Sequence, residues 1–375
     1  MARKKKVLRH KKEQIMKNEV NHRNLLLARE SRGITQKTMA ETIEGLNQGN
    51  LSKMEKGVLP ISEEMIGRVA KYLDYPVSFF YKESQSRKLN SFFYRKRVTM
   101  PNRELTMLEA RFDTARIAID ELLDSVEIPE FDLPSISTFS GITPKEVARR
   151  TRLFLGIQKG PIENFVKTIE RHGIIVIFLE DAPEKFFGVT MFTNKAVPVI
   201  FINGDKSGDN KRFTLGHELG HLVMHLREDV FSLDEKDMDK EADAFSSEFN
   251  MPEQECKGDL LNVKYKDLPT IKMYWKLSKA AICYKAKEMG MLGDSQYRYY
   301  MMQLSKSGQR KKETEHIDID DPSLLRKIVK VHLEDLEYSK KELEILTGLS
   351  DNDLETILPQ TKLVRPKIRI LRNWD

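Results

Sequence analysis

The sequence predicts a multidomain protein: an all-α N-terminal domain, an α+β middle domain with a small sheet, and an α-helical C-terminal region. Three observations carry this expectation. At 375 residues the chain exceeds what one compact core usually holds. Short, capped helical periods fill residues 21–82, β-branched and aromatic runs are confined to 173–203, and helical periods return from residue 212. Charge divides along the same line. Residues 1–98 hold 22 Lys/Arg against 10 Asp/Glu, a balance of +12 in a chain whose total is +6, so the remaining 277 residues carry −6. A basic end on an acidic body suits that end to a polyanion.

Composition narrows the function classes. Hydrophobic residues make up 40% and charged residues 32%, within the globular range. No apolar run approaches the ~20 residues of a membrane span, and "MARKKKVLRHKKE" is followed by no apolar stretch, so it is no secretory signal. The two cysteines, Cys256 and Cys283, supply neither a disulfide framework nor a Cys-rich zinc site. A cytoplasmic protein with no membrane partner is expected.

In order along the chain, residues 1–20 read as a basic arm. In 21–82, "NHRNLLLARESRG" ends on Gly33, "TQKTMAETI" is capped by Thr35, "NQGNLSKMEKG" ends on Gly57, "SEEMIGRVAKYLD" is capped by Ser62, and "PVSFFY" starts with Pro76. Short helices joined by tight turns describe a helix-turn-helix domain. This stretch resembles the XRE (Cro/C1-type) repressors through "ITQKTMAETI", "LSKMEKG" and "AKYLDYPVSFFY". The resemblance implies a double-stranded DNA operator as partner, with the third helix in the major groove. It places Gln48, Asn50, Ser52 and Lys53 at bases or backbone and Gln36 at a phosphate; glutamine and asparagine suit adenine edges.

Residues 83–130 read as a linker and long helix: "SFFYRKRVTMPNREL" is a basic, aromatic hinge, and Leu105, Leu108, Phe112, Ile119 and Leu122 recur at helical spacing. That helix could be a spacer or a homodimer seam. Pro129 and Pro134 mark the boundary of a domain at 131–295. There "TPKEVARRTRLFLG" opens on a Thr143-to-Glu146 capping box. The runs "GIIVIFL", "FFGVTMF" and "VPVIFIN" read as three strands, two helices follow, and 268–290 is helical. Residues 296–375 read as helical: Pro322 sits in a first turn, Ser339 to Glu342 form a capping box, and Gly348 stops a helix. The acidic balance there favours packing or protein docking over DNA.

"RFTLGHELGHLVMH", residues 212–225, is the most informative stretch. His217, His221 and His225 stand at steps of four, on one helical face. His217-Glu218-x-x-His221 fits H-E-x-x-H, in which two histidines hold one zinc ion and the glutamate serves as base. His225 lies about 12 Å along the axis from His217, too far to share the ion, and reads as helix-closing or as support for a ligand. A catalytic zinc needs a third ligand, and the acidic residues from Glu228 to Asp243 are the candidates. Glu241 stands out because Ala242, Phe245 and Phe249 give its helix an apolar face. Gly216 and Gly220 would let that helix approach.

Residues 143–252 resemble the ImmA/IrrE metallopeptidases through "GIIV", "PVIFIN", "RFTLGHELGHLVMH" and "EADAFSSEFNMP". Departures are Gly216 for alanine, Asp243 for asparagine and Ser246 for alanine. The resemblance implies a zincin-like fold, zinc bound by His217, His221 and Glu241, Glu218 as catalytic base, and a protein substrate such as a repressor or toxin–antitoxin component. A DNA-binding regulator carrying a zinc-dependent endopeptidase follows. The alternative is a repressor or antitoxin-like protein whose zinc is structural or sensory. For the oxyanion donor, Arg212, Tyr265 and Tyr274 are all conceivable.

Overall fold

A computed structural model describes residues 19–83, 93–96, 100–138, 141–226 and 235–358. The basic arm up to residue 18, Glu228, most of the hinge between 83 and 100, and the last 17 residues of the C-terminal region lie outside the described residues.

The N-terminal helices are α1 (His22–Ser31), α2 (Gln36–Thr42), α3 (Gln48–Glu55) and α4 (Glu63–Leu73), followed by a 3-10 turn at Val77–Tyr81. The caps read from sequence hold: Thr35 accepts from the Thr38 amide and Ser62 from the Met65 amide. Each meets a backbone donor that the first helical turn leaves unpaired. Leu25, Met39, Leu51, Ile66 and Phe79 close this part of the core.

Next come β1 (Phe93–Lys96) and α5 (Asn102–Leu122). The hinge segment therefore supplies a strand that the sequence reading missed, since four residues show no usable period. Then follow α6 (Pro144–Phe154), α7 (Phe165–Glu170), β2 (Ile175–Leu179), β3 (Phe186–Phe192) and β4 (Pro198–Asn203). The mixed sheet runs β1-β3-β4-β2, with β4 parallel to β2 and antiparallel to β3, and β1 antiparallel to β3. β4 is buried along its whole length because both faces are covered. Val199 and Phe201 face one core, Ile200 and Ile202 the other.

Helices α8 (Gly208–Met224) and α9 (Glu235–Asn250) cover the second face. Gly216 and Gly220 set their spacing. A Cβ would stand 2.7 Å from Ser246 Oγ at the first and 3.1 Å from Phe245 Cδ1 at the second, so a larger side chain there would force these α9 side chains to shift. A satellite core around Trp275 gathers α10 (Glu253–Leu260), α11 (Leu268–Trp275), α12 (Lys279–Glu288) and α13 (Asp294–Lys306).

The first sheet face is covered by α5 and by the C-terminal helices α14 (Leu324–Lys330), α15 (Lys340–Thr347) and α16 (Asp351–Ile357). Helix α5, read as spacer or dimer seam, is core instead. Phe112 sits 4.7 Å from the Phe201 ring, and α1 packs on the same helix. The C-terminal helices also grip the N-terminal domain: Arg32 binds Asp353 through two bonds of 2.6 and 2.7 Å, and Lys82 Nζ donates to the Leu346 carbonyl. Their packing role follows from this, and one core runs from the helix-turn-helix through α5 to the sheet.

Candidate metal centre

Helix α8 is buried along nearly its whole length, and its histidines are pointed inward by position rather than by hydrophobicity. His217 and His221 are each 1% exposed, and their Nε2 atoms lie 3.1 Å apart. Each ring is held through its other nitrogen. Asp243 Oδ1 stands 2.9 Å from His217 Nδ1, so that nitrogen carries the proton and Nε2 presents its lone pair.

For His221 the same outcome arises through a relay. Glu241 Oε2 stands 3.0 Å from His225 Nε2 and accepts its proton; His225 Nδ1, 2.8 Å from His221 Nδ1, then accepts in turn. Thr138 Oγ1 donates to the same Glu241 oxygen at 3.0 Å. Burial pushes the His221 and His225 pKa values down to about 4, which keeps both rings neutral.

Two imidazole lone pairs aimed at one point repel unless a proton or a cation sits between them. Asp239 Oδ1 completes the cluster at 3.8 Å from His217 Nε2 and 3.6 Å from His221 Nε2. The three donor atoms lie within 4.8 Å of one another. Two neutral nitrogens and a carboxylate fit a zinc ion with one position left over, and the rings are oriented through hydrogen bonds as metal-binding imidazoles usually are.

The arrangement differs from the sequence expectation at one position. Glu241, expected as third ligand, faces His225; the carboxylate brought to the two imidazoles belongs to Asp239. Two residues along a helix are about 200° apart around its axis, so both cannot face the same point. The missed signal was the four-residue spacing of Asp239 and Asp243, which sets both on the face toward α8.

Glu218 is fully buried, and Thr190 Oγ1 of β3 donates to its Oε2 at 2.7 Å. Nothing in the sequence marked Thr190. The three conceivable oxyanion donors lie in other contacts. Arg212 donates to the Ile162 carbonyl and lies over Phe165, its pKa lowered to about 10 by burial. Tyr265 packs on Tyr300, and Tyr274 packs on Trp275.

In the N-terminal domain, Gln48 and Lys53 are exposed on α3, and Asn50 and Ser52 are half-buried. The Asn47 side chain caps α3 by accepting from the Asn50 amide at 2.8 Å. Leu51 and Glu55 fasten the inner face, and Glu55 is held by Arg29 at 2.5 Å. Gln36, expected at a phosphate, uses its Nε2 to bind Glu55 at 2.6 Å, which fixes its side chain beside the start of α2. A rigid helix with an exposed polar face is thus presented to solvent.

Comparison with known families agrees with this division. Residues 25–80 match the helix-turn-helix family, and residues 169–287 match the peptidase family described as the IrrE N-terminal-like domain. A search of curated proteins found no match. Among the described residues no helix is long and apolar enough to cross a membrane.

Proposed function

Because the chain joins an XRE-type helix-turn-helix domain to an IrrE-like peptidase domain, we propose that it is a DNA-bound regulator that cuts a repressor or related regulatory protein in a zinc-dependent reaction. The observation that carries this reading is the pairing of a three-donor cluster with a buried, hydrogen-bonded Glu218 on the same helix. A structural zinc site is closed by four protein ligands and has no use for a base beside it.

In this reading His217 Nε2, His221 Nε2 and Asp239 Oδ1 hold the metal. A zinc ion held there supplies a Lewis acid. Thr190 fixes Glu218 Oε2, and Oε1 takes the proton of the attacking water and later passes it to the leaving amine. Asp243 and the Glu241–His225 pair keep the two imidazoles in the ligating tautomer. Gln48, Asn50, Ser52 and Lys53 read the operator from α3, and Gln36 supports that helix from α2.

The test is direct. Purified full-length chain is incubated with repressors encoded beside it, with zinc or with a chelator. A cleavage product that needs zinc supports the proposal. Intact repressors under both conditions, with zinc bound and operator DNA still recognised, leave a repressor whose zinc is structural.

A further inference from the structure

Between α6 and α7 the chain turns through residues 155–164, and this loop lines a cavity of about 580 Å³, within the size range of small-molecule sites. The loop is fastened from behind. The buried Arg152 donates to the carbonyls of Gln158 and Gly160 at 2.9 and 2.8 Å, and to that of Phe249 on α9 at 2.7 Å. Glu255 of α10 accepts from the Gly160 amide, and the buried Arg212 of α8 donates to the Ile162 carbonyl. These bonds satisfy backbone groups on the inner side of the loop, so the wall is built before anything enters. A glycine is needed at residue 160, where φ is +89° and a Cβ would stand 3.3 Å from the Tyr274 hydroxyl.

The lining divides by chemistry. Tyr274 is 53% exposed and packs edge-on against Trp275 at 5.2 Å, which leaves part of its ring uncovered, and Ile157 and Pro161 extend the apolar wall. Lys159 and Arg171 line the same cavity, and neither side chain has an ion pair or hydrogen bond among the described residues. The acid in the lining, Glu163, is already matched by Lys276 at 2.5 Å. The side-chain amides of Gln158 and Asn164 are likewise uncommitted among the described residues. The first amides of α7 are taken, since Asp320 accepts from Val166 and Lys167. An anion entering here is therefore met by side chains and not by the helix end.

We propose that this cavity binds a nucleoside monophosphate, with its phosphate between Lys159 and Arg171 and its base on the Tyr274 ring. Two uncommitted cations match a phosphate monoester, which carries close to two negative charges at neutral pH. Charge-assisted bonds to phosphate are among the stronger ones, and a guanidinium offers paired donors for them. Every base has a π-face for an aromatic side chain, and amides that both donate and accept suit its edges. The site uses no residue of the candidate metal centre and none of the helix-turn-helix.

The test is a calorimetric titration of full-length chain, with a chelator present so that no phosphate is drawn to a metal. The probes are the 5′-monophosphates of adenosine, guanosine, cytidine and uridine, the four nucleosides, and inorganic phosphate. At least one monophosphate should bind once per chain with a Kd below ~1 mM. Inorganic phosphate and the matching nucleoside should each bind at least about tenfold more weakly. Arg171→Gln and Lys159→Gln should each weaken that monophosphate about tenfold, through loss of a charge-assisted bond. Tyr274→Ala should do the same through loss of stacking, while Tyr274→Phe, which keeps the ring, should bind as the unaltered chain does. All three residues are exposed, so these variants should fold; if Tyr274→Ala loosens the loop that rests on it, the Arg171→Gln and Tyr274→Phe chains still decide the matter. No saturable binding of any monophosphate overturns the proposal. Inorganic phosphate binding as tightly, or an unchanged affinity in the Arg171→Gln chain, overturns it equally.

Discussion

Replacing Asp239 and Glu241 by alanine, one at a time, tests which of the two carboxylates serves the proposed zinc site directly and which acts through a neighbour. The Asp239 side chain is 48% exposed, so its removal opens no cavity and leaves the fold intact. What it removes is one of three donors. Four-ligand zinc sites bind with apparent free energies of ~10–16 kcal/mol, or about 2.5–4 kcal/mol per ligand, which corresponds to a loss of affinity of roughly 60–700-fold at about 1.4 kcal/mol per decade. Glu241 reaches the cluster only through His225, 3.0 Å away, and His225 in turn through His221. Loss of such a supporting partner costs about 10–100-fold, or roughly 1.4–2.8 kcal/mol. The assay is a competition titration of full-length chain against a chromogenic zinc chelator. Asp239→Ala should lose the greater affinity by about a decade. The reverse order, with Glu241→Ala stripped of zinc and Asp239→Ala loaded, would show that Glu241 is the ligand and that the relay to His221 is an arrangement of the metal-free chain alone.

Three further expectations follow from the same geometry. Burial holds His221 and His225 near 4 in the folded chain against ~6.5 unfolded, so only the unfolded state gains protons as pH drops below 6.5. Stability of the zinc-free protein should be complete above 6.5 and fall between about 6.5 and 4, with His225→Gln flattening the thermal midpoint over that window; an unchanged slope contradicts the relay. Burial also raises the Cys256 and Cys283 thiols to about 12, so a thiol reagent at pH 8 should label the native chain only as fast as it unfolds, and rapid labelling of either would refute their burial. Gln48→Ala or Asn50→Ala should relax operator preference by ~1–3 kcal/mol per lost bidentate contact, whereas Lys53→Ala should weaken all sequences alike and reduce the salt slope by about one; a unified loss in all three variants would place base reading elsewhere.

How much of this was legible in the sequence depended on how local each signal is. The N-terminal helices and the caps at Thr35, Ser62, Thr143 and Ser339 were readable because a cap is decided within four residues. The three long strands were readable because burial on both faces demands unbroken β-branched and aromatic runs. Strand β1 was not, because its partner is about a hundred residues away and its four residues are basic and aromatic like any hinge. The role of α5 was misjudged for a related reason. An apolar stripe announces that something covers it, and says nothing about whether the cover is a second copy or the chain's own sheet. At the candidate metal centre, the grouping of His217, Glu218 and His221 was readable from their spacing on one helix. The third donor depends on how α9 is rotated against α8, which only the packing of Phe245 on Gly220 and of Ser246 on Gly216 determines.

Whether the proposed site does chemistry with Glu218 as its base is decided by the Glu218→Gln variant. The substitution keeps the size of the side chain and an oxygen to accept from Thr190, and it removes the group that can take a proton. Metal analysis and cleavage of a neighbouring repressor are measured on the same preparation, beside His217→Ala. Glu218→Gln should retain one zinc per chain and a native melting profile yet yield no cleavage product, while His217→Ala should lose the metal and the product together. Undiminished cleavage by a zinc-loaded Glu218→Gln chain would contradict it.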